Sequence, residues 1–248
     1  MKKATSILLA STMMLLANNT APKSENAHWG YTGHNSPDTW GTLSPKYHTC
    51  SEGKNQSPIN VRSSMDADLE ALKISYTNAS KDILNNGHTV QVNFEAGNTL
   101  VVDDVIFELK QFHFHTPSEN NIDGKSFPLE AHFVHLDKDG NIAVLALMFE
   151  EGTENAELSK VWEKMPKNGG DTNELVLSDI ASSLLPDNKD YYRFNGSLTT
   201  PPCTEGVRWF VLKTPVSISK EQVESFLHTM HHPNNRPIQK VNARVVVE

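Results

Sequence analysis

Six segments of the chain have the residue pattern of β-strands. They are rich in β-branched and aromatic residues, and turn residues lie on either side of them. The predicted strands are Val90–Phe94, Thr99–Val102, Ile106–His115, Glu130–Leu136, Ile142–Phe149 and Val207–Lys213. The dipeptide Asp139-Gly140 separates the fourth of these strands from the fifth. This dipeptide between two such segments predicts a β-hairpin.

Two other segments carry apolar residues at the spacing of an amphipathic helix, i, i+3, i+4 and i+7. The first set is Leu158, Val161, Trp162 and Met165, and the second is Val223, Phe226, Leu227 and Met230. Ser219 and Gln222 have the spacing of a capping box at the start of the second helix. Many strands with few helices predict an α+β, strand-dominated domain of mostly antiparallel strands and a few short peripheral helices.

Length and charge limit the possible function classes. The 248 residues suffice for one large domain or two small ones, and no repeat or linker divides the chain after about His28. The formal net charge of −8 argues against nucleic acid as a partner. Beyond the N-terminus, no stretch is long and apolar enough to span a bilayer. We therefore expect one domain over residues 28–248 and no membrane span.

The N-terminal residues have the pattern of a secretory signal peptide. A short positive start, Lys2 and Lys3, precedes the apolar stretch Ala4–Ala17. This stretch is too short for a transmembrane helix but suits a signal peptide, which we predict to span residues 1–21. A buried N-terminal helix is the alternative. The residues that compete as the cleavage site are Ala21, Ala17 and Ala27.

The chain has two cysteines, Cys50 and Cys203. In an exported protein an even pair of cysteines favours a disulfide. Two buried free thiols are the alternative, and export disfavours them.

Three histidines have a pattern that favours a metal site. His113 and His115 are two apart on one predicted strand and so point to the same face, while His132 lies on another strand. Three neutral imidazoles with an open fourth position form a known catalytic zinc arrangement. Gln111 and Glu130 each lie two residues before a histidine, where each can accept the ring N–H of a metal-bound imidazole. The alternative is that these polar residues only pack against neighbouring strands.

Two further segments bear on catalysis. The Gly- and Pro-containing segment Asn195–Gly206 predicts a loop in which the Thr199 hydroxyl can orient a metal-bound hydroxide, with Glu119 as its acceptor. An ordinary Thr-Pro turn is the alternative. His88 follows an Asn-Asn-Gly turn, and its ordinary pKa near 6.5 suits proton transfer at neutral pH. From this pattern alone, a plain surface histidine is the more common explanation.

Taken together, these segments resemble the α-class carbonic anhydrases. The resemblance extends from His28 to Gln239, and its motifs occur in the same order as in that family. They are HWGY, QSPIN, ILNNGH, QFHFH, EAHFVH, GSLTTPPC, VRWFVLK and NNRPIQ. The family likeness implies a large, mostly antiparallel central sheet. It also implies that Cys50 and Cys203 form the disulfide of bacterial and extracellular members, which would tether the Thr199 loop.

The resemblance implies a metal site and a reaction. The expected ligands of one Zn²⁺ per chain are His113, His115 and His132. The groups that would hold these ligands are Gln111, Glu130 and the backbone near Asn234. The pair that would orient the zinc-bound hydroxide is Thr199 and Glu119, and the Thr199 N–H would face bicarbonate. The implied reaction is the reversible hydration of carbon dioxide to bicarbonate and a proton.

The resemblance also implies a proton path and a substrate pocket. His88 would be the proton shuttle. The residues that would hold water between it and the metal are Tyr31, Asn86 and Gln91. The apolar wall for carbon dioxide would consist of Val134, Val144, Leu198, Val207 and Trp209, and Thr200 would line the same site. Asn120 departs from the family, which commonly has a histidine there to support the core beside Glu119.

Two other functions can be weighed against carbon dioxide hydration. Some carbonic-anhydrase-like domains are binding modules that lack zinc ligands, but all three histidines are present in this chain. A zinc hydrolase of esters would need a dedicated ester pocket or a general acid for the leaving group, and the sequence indicates neither. The likeness to bacterial members favours the periplasm, with secretion as the alternative, and a homodimer as a possible assembly.

Overall fold

In a computed structural model that describes residues 27–248, eleven strands form one large, mostly antiparallel sheet. The predicted signal peptide of residues 1–21 lies outside the described residues. The strands are β1 (Asn60–Val61), β2 (Lys73–Ser75), β3 (Ser80–Asn85), β4 (Val90–Phe94), β5 (Thr99–Val102), β6 (Val105–His115), β7 (Asn121–Ile122), β8 (Leu129–Leu136), β9 (Ile142–Glu151), β10 (Thr172–Glu174), β11 (Tyr191–Ser197), β12 (Glu205–Leu212) and β13 (Val216–Ile218). The helices are α1 (Trp40–Leu43), α2 (Thr49–Glu52), α3 (Ala156–Trp162), α4 (Ile180–Ser183) and α5 (Lys220–Met230).

The strand order along the main sheet is β10-β3-β4-β6-β8-β9-β12-β11. The long strand β6 pairs with β5 along its first half and with β4 along its second half, and β2 extends the sheet beyond β5. Strands β12 and β13 run parallel to β9, whereas the other pairs of this sheet are antiparallel. Strands β1 and β7 form a separate parallel pair.

The predicted fold class is confirmed, and all six predicted strands are present. The prediction missed the other seven strands, of which β3 and β11 are the longest, and both of these contain polar residues that hydrogen bonds satisfy. Ser80 and Asn85 of β3 are buried and donate side-chain hydrogen bonds to the carbonyls of Leu175 and Pro166. The predicted loop Asn195–Gly206 was too long, because β11 extends to Ser197 and β12 begins at Glu205.

A β-bulge in β6 re-aims its side chains. The pairing of β6 with β8 shifts register between Leu109 and Gln111. Before the shift Phe107 and Leu109 face the large core, and after it Phe112 and Phe114 do. A bulge adds one residue and so exchanges the two faces of the strand. This exchange turns the face that carries Gln111, His113 and His115 away from the large core.

Apolar residues cover both faces of the central strands. In β9 the residues alternate between a large cluster, which contains Leu145 and Leu147, and a second cluster, which contains Val144 and Ala146. Such a strand is hydrophobic along nearly its whole length because neither face meets water. The second cluster lies on the face of the histidines, since Val134 packs against it.

Two helices cover the large core behind the histidine strand. Trp162 of α3 packs edge-on against Phe114, with ring centroids 4.8 Å apart, and stacks on Phe226 of α5. The predicted capping box of Ser219 and Gln222 is present at the start of α5. Met165 lies beyond the end of α3. Within residues 27–248, no helix is both long and apolar enough to cross a bilayer.

The disulfide between Cys50 and Cys203 is present and joins α2 to the loop between β11 and β12. Its two Cα atoms are 5.0 Å apart. The alternative of two free thiols was therefore wrong.

Replacing both cysteines with serine should lower the free energy of unfolding. The bond closes a loop across a sequence separation of 153 residues, for which the chain-entropy model gives an upper estimate of about 5 kcal/mol. Urea unfolding of the wild type and of the double variant, each with and without reductant, measures the loss. Reductant should lower the unfolding midpoint of the wild type only. Equal midpoints for the oxidised wild type and the variant would contradict the expectation.

Candidate active site

Strand register brings the three predicted histidine ligands together. In the β6–β8 pair, His113 lies directly opposite His132, and His115 lies opposite Glu130. The ring centroids of the three imidazoles are 4.6 to 5.4 Å apart. One nitrogen of each ring lies within 4.8 Å of the others, an arrangement that can hold a metal ion.

An acceptor lies beside one nitrogen of each ring. Gln111 Oε1 is 2.8 Å from Nδ1 of His113, and the carbonyl of Asn234 is 2.7 Å from Nδ1 of His115. These oxygens only accept hydrogen bonds, so both Nδ1 atoms donate and both Nε2 atoms keep a lone pair. Glu130 Oε1 is 2.9 Å from Nε2 of His132, a close contact without the alignment of a hydrogen bond. Nδ1 of His132 is then the nitrogen left for a metal.

The electrostatics of the three rings also suit a metal. Burial lowers the pKa of His113, His115 and His132 below the ordinary value, and for His113 and His132 the shift is large. The rings are therefore neutral at neutral pH, which is the form that binds metal ions. Three neutral imidazole nitrogens, with an acceptor beside the other nitrogen of each ring, can bind a zinc ion. This donor set is the one known from carbonic anhydrase.

Glu130 is a fully buried carboxylate that Asn120 stabilises. Its Oε2 accepts hydrogen bonds from the backbone N–H groups of Glu119 and Asn120, and its Oε1 accepts one from Asn120 Nδ2 at 2.8 Å. Burial raises the pKa of Glu130 to about 7, and the Asn120 hydrogen bonds act in the opposite direction. Asn120 Oδ1 also accepts the N–H of Ile59. Asn120 thus supports the acceptor of His132.

Glu119 is a second fully buried carboxylate, held from the segment after α5. Its Oε1 accepts the backbone N–H of Arg236 at 2.8 Å. Its Oε2 lies 3.5 Å from Nε2 of His115. Burial raises the pKa of Glu119 to about 8, and the Thr199 hydroxyl and the Arg236 N–H oppose this rise. Thr199 is thus a neighbour of Glu119, although Oε2 has no fully aligned hydrogen bond.

The loop that carries Thr199 is fixed at both ends. Ser197 exchanges hydrogen bonds with Ser57, and the Leu198 N–H donates to the carbonyl of Thr204. Gly196 is required because a Cβ there would lie 2.2 Å from Ser57 Oγ. Thr199 itself is buried.

The five predicted apolar wall residues share one cluster. Val144, Val207 and Trp209 are buried members of it, and Val134 and Leu198 pack against it. Across the sheet Val134 pairs with Val144, which pairs with Trp209. The Trp209 ring meets that of His132 edge-on, with centroids 4.9 Å apart. The apolar surface therefore extends up to the histidines.

The predicted proton-path residues line one small cleft that reaches the histidines. The cleft has a volume of about 140 Å³, which is room for a few waters at about 30 Å³ each. Its lining includes Tyr31, Asn86, His88, Gln91, Thr200 and His113. The His88 ring is half-buried and stacks on Trp29 at a centroid distance of 3.7 Å. Burial is the main cause that lowers the pKa of His88, and His28 and His232 add to it.

Comparisons with known proteins identify the family. The family model described as eukaryotic-type carbonic anhydrase matches residues 35–248. The chain belongs to the α-carbonic anhydrase family. The carbonic anhydrase of Neisseria gonorrhoeae is 51% identical over 243 residues, which cover 98% of this chain and 94% of the relative. That of Pectobacterium atrosepticum is 48% identical over 235 residues, 95% of this chain and 96% of the relative.

A solved α-carbonic anhydrase has the same fold. The enzyme from Thermovibrio ammonificans, determined in complex with the inhibitor sulfanilamide, is 52% identical and superposes with a TM-score of 0.88. The match covers 90% of this chain and 100% of that chain. The sequence-based predictions of the fold and of a carbonic anhydrase are therefore confirmed.

Sequence reasoning named the backbone near Asn234 but missed two residues of this carbonic anhydrase site and the side chain of Asn234. The Arg236 side chain donates hydrogen bonds to Gln56 Oε1 and to the carbonyls of Ser57 and Cys50, and so ties the Glu119 side of the site to the disulfide. The Asn234 side chain and the Trp29 ring were also missed. The motifs NNRPIQ and HWGY contain all three residues, but neither periodicity nor metal-ligand spacing singles them out.

Replacing Asn120 with alanine should destabilise the protein. The change leaves Glu130 without one of its donors and the Ile59 N–H without its acceptor. A buried polar group without a partner costs about 1–3 kcal/mol. Urea unfolding measures the loss, with Asn195→Ala, at an exposed asparagine, as the control. Equal unfolding free energies for the two variants would contradict this account of Asn120.

Proposed function

We propose that this protein catalyses the reversible hydration of carbon dioxide, CO2 + H2O ⇌ HCO3⁻ + H⁺, with one zinc ion held by His113, His115 and His132. One observation carries the proposal: three neutral imidazoles converge, each with its other nitrogen beside an acceptor, next to an apolar cluster. Membership of the carbonic anhydrase family supports the same reaction.

The histidines would hold the metal through three nitrogens, Nε2 of His113, Nε2 of His115 and Nδ1 of His132. When bound, zinc would lower the pKa of a coordinated water to about 7, the value known for carbonic anhydrase, and so supply a nucleophile at neutral pH. Gln111, Glu130 and the Asn234 carbonyl would keep the rings oriented, because each lies beside the ring nitrogen that faces away from the metal.

Thr199 would orient the nucleophile. Its hydroxyl would donate to Glu119 and accept a hydrogen from the nucleophile, whose lone pair would then face the substrate. The Arg236 N–H already occupies Oε1 of Glu119, which leaves Oε2 for Thr199. The Thr199 N–H would also face bicarbonate.

The apolar cluster would receive carbon dioxide. Carbon dioxide is uncharged, so a wall of valine, leucine and tryptophan side chains holds it without strong attraction. The residues of this wall are Val134, Val144, Leu198, Val207 and Trp209, with Thr200 at the same site. Weak binding suits a small substrate because only interactions that strengthen in the transition state accelerate the reaction.

His88 would carry the proton to solvent. Water in the cleft, held by Tyr31, Asn86 and Gln91, would bridge the His88 ring and the metal site. Transfer from a group of pKa about 7 to an imidazole of ordinary pKa near 6.5 is almost isoenergetic. Burial lowers the pKa of His88, which makes acceptance of the proton less favourable and its release to solvent easier.

We also propose that the protein is exported, with the periplasm as its compartment. The disulfide of Cys50 and Cys203 supports this proposal, since disulfides persist in oxidising compartments. The signal peptide of residues 1–21 and a homodimer remain predictions.

Replacing His115 with alanine should remove zinc and carbon dioxide hydration together. The change deletes one of three ligands, and the remaining two are too few to retain the metal. Metal analysis of the purified protein and stopped-flow hydration measure the two losses. His34→Ala, at an exposed histidine, is the control and should retain both properties. A zinc-free His115→Ala protein with full activity would contradict the assignment of the three histidines as zinc ligands.

Replacing His88 with alanine should slow turnover in weak buffer by up to about 100-fold, the lower range for a positioned proton-transfer group. Added imidazole should restore the rate because it replaces the missing acceptor. Stopped-flow hydration at several buffer concentrations measures both effects, with His228→Ala on the exposed face of α5 as the control. Unchanged turnover in weak buffer would make His88 an ordinary surface histidine.

A further inference from the structure

Asn234 is a fully buried residue in the segment after α5. Its neighbours Pro233 and Asn235 both reach solvent at least in part. The polar side chains of Asn234 and Arg236 therefore turn inward from an otherwise accessible segment. A buried carboxamide costs free energy unless its polar atoms find partners, so the partners of Asn234 define its role.

Every polar group of Asn234 has a partner. The backbone carbonyl accepts Nδ1–H of His115, and the backbone N–H donates to the carbonyl of Thr116. The side-chain Oδ1 accepts the Thr116 N–H at 2.8 Å, and Nδ2 donates to the carbonyls of Phe114 at 2.9 Å and His88 at 3.0 Å. Backbone partners have fixed donor and acceptor roles, so they also fix the orientation of the amide.

The bonds to Phe114 and Thr116 hold the chain on both sides of His115. The Asn234 carbonyl orients the His115 ring, while its side chain fixes the backbone from which that ring extends. One residue thus determines both the position and the tilt of this imidazole.

The bond to His88 connects the same side chain to a different loop. His88 lies between β3 and β4, and its carbonyl shares the Asn234 NH2 group with that of Phe114. The Thr89 hydroxyl also donates to the Phe114 carbonyl, at 2.6 Å. The loop that carries His88 and the strand that carries His115 therefore both bind the Asn234 carboxamide.

We propose that the Asn234 carboxamide is a positioning group that fixes His88 relative to His115, and so couples proton transfer to metal binding. This inference rests on the proposed function. Asn234 acts through its two histidines, because its own polar atoms are all engaged by protein groups.

Asn98 provides a matched comparison for a purely structural role. It is fully buried, its Oδ1 accepts the Asn78 N–H at 2.8 Å and its Nδ2 donates to the Asn78 carbonyl at 3.1 Å. Its backbone carbonyl accepts the N–H of Leu109 in β6, on the other side of the bulge from the histidines. Asn98 and Asn234 thus do the same kind of structural work at different ends of one strand.

The test compares Asn234→Asp with Asn98→Asp in the full, zinc-loaded chain. Aspartate keeps the size of the side chain and one acceptor oxygen but removes the N–H donors. In Asn234→Asp, zinc affinity measured by chelator competition should fall about tenfold or more, the effect of losing support for a ligand. Its turnover should fall more in weak buffer than in imidazole buffer. Asn98→Asp should lower the free energy of unfolding, while its zinc affinity and its turnover in both buffers stay at wild-type values.

A second variant and a double variant keep the proposal falsifiable. Asn234→Ser replaces Asn234→Asp if the latter does not fold. In a His88→Ala background, the Asn234 change should no longer affect the weak-buffer rate but should still lower zinc affinity, since residues that act together are not additive. A folded Asn234 variant with wild-type zinc affinity, or with an equal fall of turnover in both buffers, would overturn the proposal. Additive effects of the two changes on the weak-buffer rate would also overturn it. A wild-type protein without zinc or hydration activity would instead overturn the proposed function.

Discussion

The register of the β6–β8 pair is the constraint on which the site depends. Side chains in a strand alternate between faces, so a slip of β6 by one residue would turn His113 and His115 into the opposite core. In the observed register His113 faces His132 and His115 faces Glu130, which places three candidate ligands and a supporting carboxylate in adjacent pairs. The bulge after Leu109 makes this register compatible with the core, because it lets phenylalanines occupy the large core on both sides of the shift.

Burial of the imidazoles determines the next layers of the site. A buried ring N–H needs an acceptor, and a buried acceptor needs donors of its own. Glu130 beside His132 takes donors from Asn120 and from the backbone. Glu119 takes its donor from Arg236, whose guanidinium reaches the segment around the disulfide. The hydrogen-bonded polar groups thus continue outward from the ligands until they meet backbone groups, such as the Ile59 N–H that Asn120 accepts.

The sequence predicted the parts of this site that depend on local pattern. Strand alternation placed His113, His115 and Gln111 on one face, and the in-phase Glu130 placed an acceptor beside His132. The bulge was not predictable, since Lys110 carries no glycine or proline signal. The Asn234 side chain and the Trp29 stack were not predictable either, because both bring a distant segment to His88 or His115. Strand β3 was missed because long-range hydrogen bonds, rather than apolar side chains, bury its polar ends.

The metal ligands and the proton-transfer histidine have opposite requirements, because the ligands need a fixed geometry and His88 needs contact with solvent. Different parts of the fold meet these two requirements. The ligands lie on long central strands whose faces are both covered, which favours fixed geometry and excludes bulk water from the imidazoles. His88 lies in a loop next to the exposed Asn86, where a proton can leave to solvent. The ring stacks on Trp29, and its partial burial lowers its pKa, which favours release of a proton over its retention. If the Asn234 carboxamide joins these two ends, it holds the proton-transfer histidine, His88, at a fixed distance from the metal ligand His115.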